Sequence, residues 1–190
     1  MREVYLDNAA TTKVLPEIAT AMAKTMTENY GNPSGVYEIS RRAHELLDTA
    51  RVQMAELINA TPEEITFTCG GSEGDTTILL GIAKAYRNKG NHIITSSIEH
   101  HAILHTCEEL ERDGFKITYL PVDEFGKINP ADVEKAITTQ TILISIMFAN
   151  NEIGTIEPIR AIGAVAKKHG VLFHTDAVQA AGHLHIDVNK

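Results

Sequence analysis

The sequence predicts an α/β fold, a mainly parallel sheet with flanking helices. Two observations carry that expectation. From Ile65 onward short β-branched runs alternate with helical ones, the order that parallel strands joined by crossover helices require. The 190 residues are 43% hydrophobic and 22% charged, a globular balance with enough apolar material to bury such a sheet.

Residues 1–14 read as an irregular amino-terminal segment. "LPEIATAMAKTMTENYG" then predicts a first helix, with Pro16 in its opening turn and Gly31 beyond its end. "ISRRAHELLDTARVQMAELINA" predicts a second. Its apolar residues Ala43, Leu46, Leu47, Ala50, Met54, Leu57 and Ile58 fall at the spacing of one buried face. The two helices make a helical segment over residues 15–60, interrupted by the polar "YGNPSGVYE". Residues 61–190 then carry the sheet. "ITFT", "HIITS", "KITYLP", "TILISIMF" and "VLFHT" predict its strands. "GDTTILLGIAKAYRNKG", "HAILHTCEELERDG", "PADVEKAI" and "PIRAIGAVAKKHG" predict the helices between them.

The formal net charge is −8 and the basic residues are scattered, which argues against nucleic acid as a partner. No run reaches the ~20 apolar residues of a membrane helix, and "MREVYLDNAATT" lacks the apolar core of a signal peptide, so a cytoplasmic location is expected. Cys69 and Cys107 are too far apart for a paired metal motif and fit a reducing compartment. The nine histidines share no zinc-like spacing, and no metal is expected.

In an open α/β sheet ligands bind beyond the carboxyl ends of the strands, so the residues just after each run carry the functional information. "CGGSEGD" offers Gly70 and Gly71 for close backbone approach and Ser72 at a helix start, where free amides attract an anion such as phosphate. The plain alternative is a turn capped by Ser72 with support from Asp75. "SSIEHHAILH" sets His100 and His101 at a helix start, where a histidine can transfer protons or lay its ring on a flat ligand. "FANNEIGTIEP" places two asparagines after a strand, either to tie up a turn or to hold a polar substituent. Asp176 and Gln179 follow the last run. A carboxylate there either caps the next helix or acts as the fixed counter-charge that keeps a ring nitrogen protonated. An anion cradle, a ring-stacking candidate, two amides and a carboxylate on one sheet edge together describe a pocket for pyridoxal phosphate.

"YLDNAATT", "YGNPSG", "FTCGGSEGD", "HIITSSIEHHAIL", "SIMFANNEIGTIEPI" and "FHTDAVQAAGHLHIDV" occur in the order and spacing of the cysteine desulfurases of the NifS/IscS type, which the chain resembles over essentially its whole length. Those are class V aminotransferases with the large domain of fold type I pyridoxal phosphate enzymes. The resemblance implies Gly71 and Ser72 on the cofactor phosphate and His100 stacked on the pyridine ring as the nearest acid or base. It implies Asn151 and Gln179 near the ring oxygen and Asp176 on the ring nitrogen. It further implies L-cysteine as substrate, alanine and an enzyme persulfide as products, an iron–sulfur scaffold or other sulfur acceptor, and a homodimer.

Gly74 and Thr76 stand where the family usually has serine and asparagine, beside the phosphate cradle. Tyr37 and His185 replace a usual histidine and proline. The cofactor-linking lysine and the catalytic cysteine of the family match no position here: Lys190 lies outside the lysine's "HK" motif, and neither Cys69, expected to be a small buried residue, nor Cys107 has the cysteine's context. The last two sheet strands and the small domain are likewise expected to be absent. The expectation is therefore an amino-terminal half, inactive alone and completed by a carboxy-terminal half. A non-catalytic assembly protein, or another class V enzyme such as selenocysteine lyase, is the alternative.

Overall fold

The computed structural model describes residues 2–190 and divides into two compact units. One comprises the chain up to Thr66 with Ile186–Lys190 and the other Phe67–His185.

The first unit is helical. α1 (Pro16–Glu28) opens on proline and buries none of its residues. α2 (Glu38–Ile58) ends where Asn59 turns left-handed, at φ 57°. The expected buried face of α2 is only partly realised. Ala43 and Ala55 are buried with Ser40, whereas Leu46, Met54 and Leu57 are exposed. A single 3-10 turn, Pro62–Glu64, follows, with the Glu64 carboxylate accepting from Thr61 N at 2.8 Å. The carboxyl-terminal residues join this unit through Val188 N to Ile58 O at 3.0 Å and Asn59 Nδ2 to Asp187 Oδ1 at 3.0 Å.

The second unit is the predicted α/β assembly. Its elements are α3 (Gly71–Tyr86), β1 (His92–Ser96), α4 (His101–Arg112), β2 (Lys116–Leu120), α5 (Pro130–Ala136), β3 (Thr141–Ser145), α6 (Ile159–His169) and β4 (Leu172–His174). All strand pairs are parallel, in the order β2-β1-β3-β4. "ITFT" at 65–68, the first expected strand, forms none. A short β-branched run becomes a strand only where a neighbour completes its ladder, and the sheet contains no such neighbour for it.

Alternation along the strands sends side chains to two cores. Ile93 and Leu143 pack with Leu79 and Ala83 of α3 and with Ile103, Cys107 and Leu110 of α4. Ile94 and Ile144 pack on the other face with Val133 of α5 and with Ile162 and Ala166 of α6. Each fully buried aliphatic side chain is worth about 1.5–3 kcal/mol. β1 and β3 are buried along their whole length, as central strands of a two-faced sheet should be.

Candidate functional site

Because β1, β3 and β4 are neighbours, the loops leaving their carboxyl ends lie side by side. Strand pairing continues past β3 and β4 through Ile146 N to His174 O (3.1 Å) and Phe148 N to Asp176 O (2.8 Å), which fixes the backbone of Asp176. The Asp176 side chain is 9% exposed, and its Oδ1 accepts from Val178 N at 2.9 Å, closing the turn that carries the half-buried Gln179.

His100 is the N-cap of α4, with Nδ1 accepting from Ala102 N at 3.1 Å. That bond leaves the ring proton of the neutral imidazole on Nε2. Its ring meets His101 edge-on, centroids 6.2 Å apart. The two asparagines differ in their surroundings. Asn150 is buried and holds the turn, its Oδ1 accepting from Glu152 N (2.9 Å) and Ile153 N (3.0 Å). Gly154, at φ 73°, closes that turn through its N–H to Asn150 O at 3.0 Å. Asn151 remains half-exposed, with only a 3.5 Å contact from Nδ2 to Glu152 Oε1.

α3 starts differently from the capped turn considered above. Its N-cap is Gly70, in extended backbone, with no side-chain cap, while Ser72 is exposed in the first turn. Asp75 does not support the cap; it is buried, its Oδ1 3.6 Å from His174 Nε2. Glu73 instead reaches back to accept from Cys69 N. The first-turn amides thus keep the character of an anion site. Gly71 is required by contact: a Cβ there would lie 2.5 Å from Val178 Cγ2, so the start of α3 rests directly on the Asp176 turn.

Beneath the turn, His174 Nδ1 lies 2.9 Å from Ser145 Oγ. Burial lowers the His174 pKa, against the pull of Asp176. Burial, with help from Asp176, pushes Asp75 up to about 6. Glu99, 4% exposed, is pushed up to about 7, chiefly by burial and against its hydrogen bonds from Ser96 and Met147.

The two cysteines separate. Cys107 is buried between helix and sheet, its thiol pushed up to about 12 by burial. Cys69, expected to be buried, is exposed, because the segment before α3 never joins the sheet. Among the described residues no three His, Cys, Asp or Glu side chains gather as metal ligands.

Gly71 therefore meets the turn between Asp176 and Gln179 at Val178, with Ser72 next along α3, while His100 and Asn151 sit on the loops after β1 and β3. Sequence reasoning missed Glu99 as a buried residue and the contact between His174 and Asp75. No local signal marks Glu99, which stands in the polar loop "SIEH" after β1.

Residues 4–190 match the family described as Aminotransferase class-V. The chain is 56% identical over 189 residues to the cysteine desulfurase IscS of Methanosarcina thermophila, covering 100% of this chain and 47% of that protein. It is 54% identical over 187 residues to cysteine desulfurase IscS of Clostridium botulinum (strain Kyoto / Type A2), covering 98% of this chain and 47% of the relative. Among solved structures, a NifS-like protein superposes with a TM-score of 0.96 at 37% identity, covering 100% of this chain and 52% of the other. SspA in complex with cysteine superposes with a TM-score of 0.95 at 41% identity, covering 97% and 53%. The chain spans about half the length of the curated relatives it matches.

Proposed function

The chain belongs to the class-V aminotransferase family, and on that premise we propose that it is the amino-terminal, cofactor-cradling part of a pyridoxal-phosphate-dependent cysteine desulfurase. The observation that carries this reading is the seating of the uncapped start of α3 against the Asp176 turn, made possible by Gly71.

The residues fit the cofactor. The first-turn amides of α3 and the Ser72 hydroxyl suit a phosphate. Asp176, buried with one oxygen committed to Val178 N, suits a protonated ring nitrogen. Asn151 and Gln179 supply amides for the ring oxygen. When bound, pyridoxal phosphate supplies an electron-withdrawing ring for chemistry on an amino acid. Within this chain Asp176 holds the counter-charge, and His100, with Nδ1 engaged, holds or moves a proton at Nε2.

The reaction assigned to the whole enzyme converts L-cysteine to L-alanine and passes the sulfur to a protein thiol as a persulfide. The buried Cys107 thiol, pushed up to about 12, is unsuited to accept it. A complementary carboxy-terminal portion, a homodimer partner and an iron–sulfur scaffold or other sulfur acceptor complete the proposal.

The test is direct binding of pyridoxal phosphate to the 190-residue chain, followed by the perturbed amide signals of Ser72 and Val178. Asp176→Asn removes one charge-assisted contact and is expected to weaken binding about 10- to 100-fold. Unchanged affinity in that variant would overturn the assignment of Asp176.

A further inference from the structure

The loops carrying His100 and Asn151 are tied to each other by two buried side chains for which the chemistry above has no use. Glu99, on the first loop, reaches across β1 and β3: its Oε1 accepts from Ser96 Oγ at 2.6 Å and from Met147 N at 3.0 Å. Asn150, on the second loop, answers in the opposite direction, its Nδ2 donating to Ile98 O at 3.0 Å. Each loop therefore inserts one side chain into its neighbour, and the residues next in sequence to those two are His100 and Asn151.

A carboxylate is a costly choice for a brace that uses a single oxygen. Oε2 of Glu99 is buried and has no hydrogen-bond partner, a position that favours a proton on it over a charge. The charges that reach it besides its own bonds are acidic as well, Asp176 on the β4 loop and Glu157 ahead of α6, while Cys107 on α4 faces it as a neutral thiol. Burial together with these acids pushes Glu99 up to about 7, so both of its forms are populated near neutrality.

We propose that Glu99 is a proton-bearing positioning residue: with Asn150 it fixes the spacing of the His100 and Asn151 loops. The assignment rests on the cofactor-site reading for its purpose but not for its geometry. No bond other than that to the proton changes; the proton on Oε2 exchanges with water.

The test is a pH titration by NMR of the 190-residue chain without cofactor, following the Met147 amide in the native protein, Glu99→Gln and Glu99→Ala. In the native protein the Met147 amide should shift with a midpoint near 7. Glu99→Gln keeps the acceptor and removes the charge. It should abolish that inflection and preserve exchange protection at Met147. Glu99→Ala should reduce Met147 protection about tenfold or more. An inflection that survives in Glu99→Gln, or a Met147 amide as well protected in Glu99→Ala as in the native protein, would each overturn the proposal. Pyridoxal phosphate added to the same samples reports separately. Unperturbed Ser72 and Val178 signals would remove the cofactor reading while leaving the Glu99 result intact.

Discussion

His92 stands at the opposite end of β1 from the site, a buried imidazole with both nitrogens engaged. Nδ1 lies 2.7 Å from Thr141 Oγ1 and Nε2 lies 2.8 Å from Thr118 Oγ1, joining three strands through one ring. Burial, with Lys116 nearby, lowers its pKa from 6.5. The folded state therefore binds the proton less readily than the unfolded chain. This contribution is complete above pH 6.5 and is lost as the pH falls from there toward the depressed folded value. Relative to the native protein, His92→Asn should raise the urea midpoint at pH 5 against that at pH 7, while Asp75 and Glu99, raised to about 6 and about 7, favour folding as the pH falls over the same interval. His174, whose pKa is lowered in the same way, contributes with the same sign as His92. Single residues were legible in the sequence where placement follows from position after a strand, as for His100, Asn151 and Asp176 on the loops after β1, β3 and β4. They were illegible where placement depends on burial. Glu99 and Asn150 look like ordinary loop polar residues in "IEHH" and "ANNE", and only the packed structure turns them inward.

At the scale of elements, the seam between α3 and α4 holds one face of the sheet. Leu79 is fully buried there with Ile103 and Cys107, and Thr76 Oγ1 meets Thr106 Oγ1 at 3.3 Å beside them. Leu79→Ala should cost about 2–5 kcal/mol, measured by chemical denaturation, because neighbouring helix and strand residues cannot collapse into the space. Thr76 thus has a packing partner of its own. Among the described residues, the six α-helices and four strands matched the periodicity of the chain wherever a local pattern was sufficient. The failures are instructive. "ITFT" has strand composition, but strand formation is a property of a pair, and composition says nothing about whether a neighbour is present. α2 has the spacing of a buried face, yet Leu46, Met54 and Leu57 remain exposed, since amphipathicity marks a face that can be covered without supplying its cover.

At the scale of the whole molecule, the two units differ in how much apolar material they enclose. Both hydrophobic cores belong to the unit spanning Phe67–His185. The helical unit buries only small residues on its helices, and α1 buries none. Amide exchange should divide accordingly: Ile94, Leu143 and Ile144 should exchange only with global unfolding, and α1 amides at least about a hundredfold faster. Equal protection in α1 and β3 would contradict that division. The strand order carries a consequence for how the chain is made. β1 leaves the ribosome first, β2 then joins one side of it, β3 the other, and β4 the free side of β3. No strand has to wait for a later one to create its place. The sheet can therefore be assembled at the pace of translation, each arriving segment docking on an edge already waiting for it.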